Sequence, residues 1–142
     1  MDMIVDHLGA VQFEIRTARP GARQHTIVSD QPEESGGFDE GMTPPELFLA
    51  SLGSCAAYYA ADYLKRHGLA TEGTRVRVHA EKVKNPARVD NIRIEVDLPL
   101  DCEERDREGV DRAVHNCLIH NTLVHPPRVE IAVGAATGVA LR

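Results

Sequence analysis

Apolar and polar residues alternate along several short stretches of the chain. Alternation with a period of two is typical of half-buried strands in an antiparallel sheet. An Asn-Pro dipeptide separates two of these stretches and predicts a hairpin between them. The predicted strands are residues 10–18, 24–30, 74–84, 91–98 and 128–134.

The longest predicted helix covers residues 43–68. Thr43 and Glu46 form a T-x-x-E capping box at its start, and the proline after Thr43 takes the first helical position, where a missing N–H has no effect. Gly68 suits the left-handed conformation in which many helices end. Because no charged residue lies between Glu46 and Asp62, we expect this helix to be buried on all sides.

A second helix is predicted at residues 101–114, with an apolar stripe at three- and four-residue spacing. The stripe consists of Val110, Ala113, Val114, Cys117 and Leu118. The predicted order β-β-α-β-β-α-β describes an α+β fold in a single domain, residues 1–142. One small sheet cannot cover two helices when one of them is apolar on every side. This mismatch predicts a homodimer in which the partner covers the central helix.

Composition and charge argue against several classes of function. The chain has 142 residues, 42% of them hydrophobic, and a net charge of -6. The negative charge argues against a nucleic-acid binder that neutralises phosphates. Residues 1–7 lack the pattern of a signal peptide, and the uncharged run at 47–61 is too short to span a bilayer. We therefore expect a cytoplasmic protein with neither a nucleic acid nor a membrane as its partner.

The chain carries three cysteines, Cys55, Cys102 and Cys117, and no Cys-x-x-Cys motif. An odd number argues against a framework of structural disulfides. Cys102 is flanked by acidic residues, which raise the pKa of a thiol and lower its reactivity. If two cysteines act together, they are Cys55 and Cys117, one reacting with a peroxide to give a sulfenic acid and the other condensing with it. The residues alone leave open that both thiols only pack as small apolar groups.

Other kinds of site fit the sequence less well. Three histidines lie near Cys117, namely His115, His120 and His125. No second Cys/His cluster completes a tetrahedral set, so no metal is predicted. The chain has neither a G-x-S-x-G elbow nor a phosphate-binding glycine loop. The acidic, glycine-rich residues 31–41 predict a surface loop, either a plain connector or the rim of a site near the long helix.

Two segments of the chain resemble the signature of the OsmC family, the osmotically induced protein C and organic hydroperoxide resistance proteins. The first is residues 43–55, TPPELFLASLGSC, and the second is residues 117–123, CLIHNTL, which two prolines follow shortly afterwards. The two thiols are 62 residues apart, and the predicted order of elements also matches the family. The resemblance therefore covers nearly the whole chain.

This resemblance implies an intertwined homodimer in which antiparallel sheets wrap around long central helices, with two active sites at the interface. It also implies cofactor-free reduction of organic hydroperoxides, with Cys55 attacking the peroxide, Cys117 resolving the intermediate and a dihydrolipoyl or similar thiol as reductant. The alternative is a non-catalytic small-molecule-binding or stress protein of the same fold, in which the cysteines only pack.

The sequence departs from the hydroperoxide reductases of this family at three points. Pro45 stands ten residues before Cys55, where those proteins carry a glutamate, and Glu46 falls on the opposite face of an ideal helix. Leu118 replaces the proline that follows their second cysteine. Their activating arginine has no clear match, since Arg16, Arg19 and Arg23 all lie in the corresponding region, and Arg23 is the predicted candidate. These departures indicate the less characterised OsmC-like branch, with Glu46 first a capping residue and, with Arg23, a possible supporting residue of the site.

Overall fold

Five strands and three α-helices make up residues 1–134, the part of the chain that the computed structural model describes. The strands form two antiparallel sheets, and the α+β class predicted from the sequence is confirmed. The elements are β1 (Met3–Gly9), β2 (Gln12–Thr17), β3 (Thr26–Ser29), α1 (Pro44–Arg66), β4 (Arg75–Val83), β5 (Arg88–Asp97), α2 (Glu104–His115) and α3 (Leu118–Val124).

The first sheet has the strand order β1-β2-β3. β2 lies inside the predicted strand 10–18, and β3 occupies the later part of the predicted strand 24–30. β1 was not predicted because Ile4 and Val5 are adjacent, which breaks the period of two that identifies a strand. Its backbone nevertheless pairs with β2, and Val5 lies opposite Ile15.

The second sheet is the predicted hairpin of β4 and β5, in which Val78 lies opposite Ile94. β5 begins at Arg88 and not at residue 91, because pairing with β4 continues up to the turn. This hairpin packs closely against α1. A Cβ atom at Gly53 of α1 would lie only 2.9 Å from Cγ2 of Val78, so the glycine allows the helix to approach the sheet.

The long helix α1 starts and ends close to the predicted residues. The backbone N–H and the hydroxyl of Thr43 both donate to the Glu46 carboxylate, at 2.7 and 2.8 Å, which confirms the capping box. The expectation that this helix is buried on all sides is wrong for the single chain. Its fully buried residues form one stripe, Leu52, Ala56, Ala60 and Leu64. Elsewhere Tyr58 is 67% exposed, because α2, α3 and the hairpin pack on only part of the helix.

The core of the chain lies between α1, α2 and the hairpin. Ala60 and Leu64 of α1 pack with Val110 of α2 and with Cys102, which precedes that helix. Among the helices of residues 1–134, none combines the length and the hydropathy that a membrane-spanning helix requires.

The single apolar stripe predicted to run from α2 to Leu118 is wrong, because the helix breaks. α2 ends at His115, and Asn116 caps it by donating from its side chain to the Arg112 carbonyl at 3.0 Å. Cys117 then becomes the N-cap residue of a separate helix, α3. As a result Cys117 is fully buried, whereas Leu118 is 60% exposed.

The last predicted strand, residues 128–134, is also wrong. These residues pair with no strand in the described part of the chain. Their alternating apolar side chains are exposed, Ile131 by 87%. A strand needs a neighbouring edge to satisfy its backbone groups, and this chain alone provides none there.

The predicted surface loop at residues 31–41 is confirmed and is organised by a buried carboxylate. Asp30 accepts backbone hydrogen bonds from Gln31 at 2.8 Å, Phe38 at 3.1 Å and Glu40 at 3.2 Å. Gln12 of β2 adds a side-chain bond at 3.2 Å. Burial tends to raise the pKa of Asp30, but these hydrogen bonds to the charged form bring it below its usual value.

Candidate functional site

The break between α2 and α3 brings two of the three cysteines together. Cys55 lies near the middle of α1 and is half-buried, and Cys117 is fully buried at the start of α3. α1 and α3 are in contact, and the side chains of the two cysteines interact. Both are free thiols. Cys55 and Cys117, the two thiols that the sequence pairs only conditionally, are therefore neighbours in the fold.

The surroundings of Cys117 favour its neutral thiol. Burial is the largest cause that raises the pKa of Cys117, and the hydrogen-bonding interaction with Cys55 raises it further. The backbone N–H groups of His120 and Ile119 act in the opposite direction, because they face the sulfur from the first turn of α3. A buried thiol of this kind is poorly suited to be the first nucleophile of a reaction.

Cys102 lies away from this pair, in the core between α1 and α2. Burial is the largest cause that raises the pKa of Cys102, followed by the charges of Asp101 and Asp106, which Arg107 partly opposes. The direction expected from the flanking acids is correct. Burial of Cys102 was not predicted, because it results from the packing of α1 against α2.

Glu46 is held at the start of α1. Hydrogen bonds from the backbone N–H and then the hydroxyl of Thr43 lower the pKa of Glu46, and the charge of Lys82 contributes less. Its carboxylate lies nine residues before Cys55, which corresponds to about 13 Å along the axis of a helix. The capping interpretation is confirmed, and the structure does not bring Glu46 to the thiols.

The predicted activating arginine is not brought to the thiols either. Arg23 is exposed in the turn between β2 and β3, and within residues 1–134 its side chain forms no ion pair or hydrogen bond. Arg16 is engaged on the sheet by Asp6 at 2.6 Å and by Glu14 at 3.3 Å. In the described part of one chain, the thiol pair therefore has no cation as a hydrogen-bond donor.

A cleft that was not predicted from the sequence is lined by residues of β5, α2 and α3, and neither Cys55 nor Cys117 is among its lining residues. Its volume is 660 Å³, a size typical of small-molecule sites, and it lies between the inner face of β5 and helices α2 and α3. Four apolar residues of β5 and its end form one wall, Ile92, Ile94, Val96 and Leu98. Arg107, His115 and His120 are among its polar residues. His120, which follows the break at Asn116, is the residue of α3 that lines this cleft.

The rings of His115 and His120 pack edge to face, with centroids 5.4 Å apart. Both Nδ1 atoms face backbone carbonyls, so their protonated nitrogens are engaged. Residues 1–134 contain no group of three or more His, Cys, Asp or Glu side chains arranged to hold a metal ion.

The fold and the site together define a class, an α+β protein with two neighbouring thiols, one on a long capped helix and the other at the start of a short one. The chain belongs to the OsmC-like protein family, whose pattern matches residues 37–132. The matched residues include Cys55 and Cys117, the hairpin of β4 and β5, and helices α1, α2 and α3. A comparison with curated proteins finds no match.

Solved structures of the same fold come from several bacteria. A Psychrobacter arcticus 273-4 protein named for an osmotic stress induced and detoxification response is 18% identical, with a TM-score of 0.74 over 84% of this chain and 85% of that one. An OsmC-like protein of Mycoplasma pneumoniae is 18% identical, with a TM-score of 0.62 over 78% and 79%. An organic hydroperoxide resistance protein OsmC of Legionella pneumophila is 16% identical, with a TM-score of 0.56 over 87% and 89%. At these identities the likeness establishes the fold.

Proposed function

We propose that this protein is a thiol-dependent peroxidase that reduces organic hydroperoxides with Cys55 and Cys117. The observation that carries the proposal is the interaction of these two free thiols, which lie 62 residues apart in the chain and on different helices. Cys55 is the attacking residue because it is half-buried and can meet a substrate. Cys117 is the resolving residue because it is fully buried beside Cys55.

The reaction has two steps within the protein. The Cys55 thiolate attacks the terminal oxygen of the hydroperoxide, the O–O bond breaks, and the alkoxide leaves as an alcohol after taking up a proton. Cys55 is thereby oxidised to a sulfenic acid. Cys117 then attacks the Cys55 sulfur, water leaves, and a disulfide forms. A dithiol reductant, such as a dihydrolipoyl group, supplies the two electrons that restore both thiols.

A homodimer is part of this proposal. The uncovered side of α1, the exposed apolar residues 128–134 and the lack of a cation at the thiols each support a partner chain that covers the helix and supplies an arginine. Light scattering of the purified protein is expected to give twice the 15.6 kDa mass of the chain. A monomer at micromolar concentration would reject this part of the proposal.

The names of the structural neighbours support a role in the response to peroxide or osmotic stress. The Legionella protein is named for organic hydroperoxide resistance, and the Psychrobacter protein for osmotic stress and detoxification. The proposed location is the cytoplasm, because three free thiols are stable in a reducing compartment.

The test is consumption of cumene hydroperoxide with dihydrolipoamide as reductant. Cys55→Ser is expected to abolish turnover. Cys117→Ser is expected to block disulfide formation and leave a sulfenic acid at Cys55 that dimedone traps. Cys102→Ser is the matched control, since Cys102 lies in the core away from the pair, and it should keep wild-type turnover. Undiminished activity of Cys55→Ser would reject the proposed function.

The cleft favours a second candidate, a binding protein for apolar small molecules. Its volume of 660 Å³ and its aliphatic wall fit such a ligand. Peroxide consumption and ligand binding distinguish the peroxidase from the binding protein. A binding protein consumes no hydroperoxide in any variant, and an Ile94→Asp substitution in the cleft wall should abolish its binding of an apolar fluorescent dye.

A further inference from the structure

The break between α2 and α3 leaves the His115 carbonyl, at the end of α2, without a backbone N–H partner within residues 1–134. In a continuous helix, the N–H of Ile119 would donate to the carbonyl of His115, four residues earlier. Here the N–H of Ile119 faces the sulfur of Cys117. The N–H groups of Asn116 and Cys117 donate to Ala113 and Val114, at 3.0 and 2.9 Å. No backbone N–H of residues 1–134 therefore takes the place of Ile119 at the His115 carbonyl.

The imidazole of His120 takes the place of a backbone N–H at the His115 carbonyl. Its Nδ1 lies 3.0 Å from the His115 carbonyl oxygen. A carbonyl oxygen only accepts hydrogen bonds, so Nδ1 carries the proton and donates. The edge-to-face contact with the His115 ring holds the same geometry. His120 thus links α3 back to the end of α2, while its own backbone N–H faces the Cys117 sulfur.

Few other contacts fix α3. None of its own residues is buried, and Cys117 at its start is the fully buried residue of the bend. The orientation of Cys117 toward Cys55 therefore depends on how firmly the bend at Asn116 is held. Without the His120 donor, the exposed His115 carbonyl would bond to water, and the link between α3 and the end of α2 would be lost.

We propose that His120 is a positioning residue, whose side chain holds the bend between α2 and α3 so that the Cys117 sulfur faces Cys55. The proposal rests on the proposed function in one respect, the assignment of Cys117 as the resolving thiol. It assigns to His120 an effect on disulfide formation and none on the first attack by Cys55.

The test uses three substitutions at His120 and one matched control. His120→Asn keeps a donor at the position of Nδ1, His120→Gln moves the donor one bond further out, and His120→Leu removes it. His125→Leu is the control, since its Nδ1 makes the same kind of bond, to the Asn121 carbonyl at 3.3 Å, at the exposed end of α3. Rapid mixing with cumene hydroperoxide separates sulfenic acid formation from disulfide formation.

A second oxidant makes the test independent of peroxidase activity. Diamide accepts the Cys55 thiolate as an adduct, and attack by Cys117 on the Cys55 sulfur then gives the disulfide and reduces the diazene to a hydrazine. If wild type consumes no hydroperoxide but forms this disulfide at a rate that depends on His120, the proposed function fails and the role of His120 stands.

His120→Leu and His120→Gln are expected to slow disulfide formation about three- to tenfold, the range for the loss of one neutral hydrogen bond. His120→Asn should stay within about twofold of wild type on the same scale. The rate of sulfenic acid formation should not change. His125→Leu should behave as wild type in both steps.

Three outcomes would overturn the assignment. They are equal disulfide rates for the Asn and Gln variants, an equal slowing by His125→Leu, and an equal slowing of the first attack. The comparison of Asn with Gln remains decisive if His120→Leu fails to fold, because both of those side chains are polar.

Discussion

Leu64 and Leu118 provide a direct test of where the core ends. Sequence periodicity puts Leu118 on the buried stripe of the second helix, whereas the structure exposes 60% of it and buries Leu64 completely. Leu64 packs with Ala60, Cys102 and Val110, in a cluster backed by the hairpin. Because two helices and a sheet surround this site, we expect it to collapse little when the side chain is truncated.

The magnitudes follow from burial. Leu64→Ala should lower the free energy of unfolding by about 3–4 kcal/mol, in the middle of the range for fully buried leucines. Leu118→Ala should lower it by less than about 1 kcal/mol, since most of the side chain is already in water and alanine is the better helix former. Urea denaturation at one fixed protein concentration measures both. Equal losses for the two variants would refute the helix break, because a continuous stripe would bury both leucines alike.

Three further predictions concern single residues. Gly109→Ala should destabilise the protein by about 1–3 kcal/mol, because the new Cβ would overlap the ring of Tyr63. Urea denaturation of the double variant should show that Tyr63→Leu relieves this loss. Asp30→Asn should cost stability at pH 7 but progressively less at low pH, in thermal unfolding measured from pH 7 to 2. The folded pKa of Asp30 is depressed, so its contribution is complete above the unfolded pKa of about 4 and is lost as the pH falls through the folded value. A constant difference between wild type and Asp30→Asn across this range would contradict the hydrogen-bonded carboxylate. Cys102→Ser should leave the rate of disulfide formation after peroxide unchanged, as followed by thiol titration, and a slower rate would place Cys102 in the site.

Features set by local chemistry were predictable from the sequence. The bounds of α1 follow from a capping box and a terminal glycine, which act within a few residues. The hairpin follows from alternation on both sides of a turn. The direction of the pKa shift of Cys102 follows from its acidic neighbours, although burial is the larger cause.

Features set by tertiary contacts were not predictable in the same way. The apolar run of α1 does not reveal that α2, α3 and the hairpin cover only part of it within one chain. The spacing around Cys117 suits a continuous helix, yet the cap at Asn116 ends α2 and Cys117 becomes the N-cap residue of α3. Residues 128–134 alternate like a strand but find no partner edge in the described chain.

The site was predicted in part. Cys55 and Cys117 were identified by excluding Cys102 and by the family resemblance, and the structure brings the two together. Glu46 is engaged in capping, as its spacing suggested. Arg23 remains a prediction for the dimer, since the thiols of one chain have no cation as a hydrogen-bond donor in residues 1–134. His120 was considered in the sequence only as a metal ligand, because its contact with the His115 carbonyl depends on a break in the helix that periodicity does not predict.

The proposed function requires that Cys55 and Cys117 form one redox pair. The most direct test is to treat the reduced protein with one equivalent of cumene hydroperoxide and to map its disulfides by peptide mass spectrometry. We predict the loss of two thiols per chain, an intramolecular bridge between Cys55 and Cys117, and a free thiol at Cys102. Retention of all three thiols, or a bridge that includes Cys102, would contradict it.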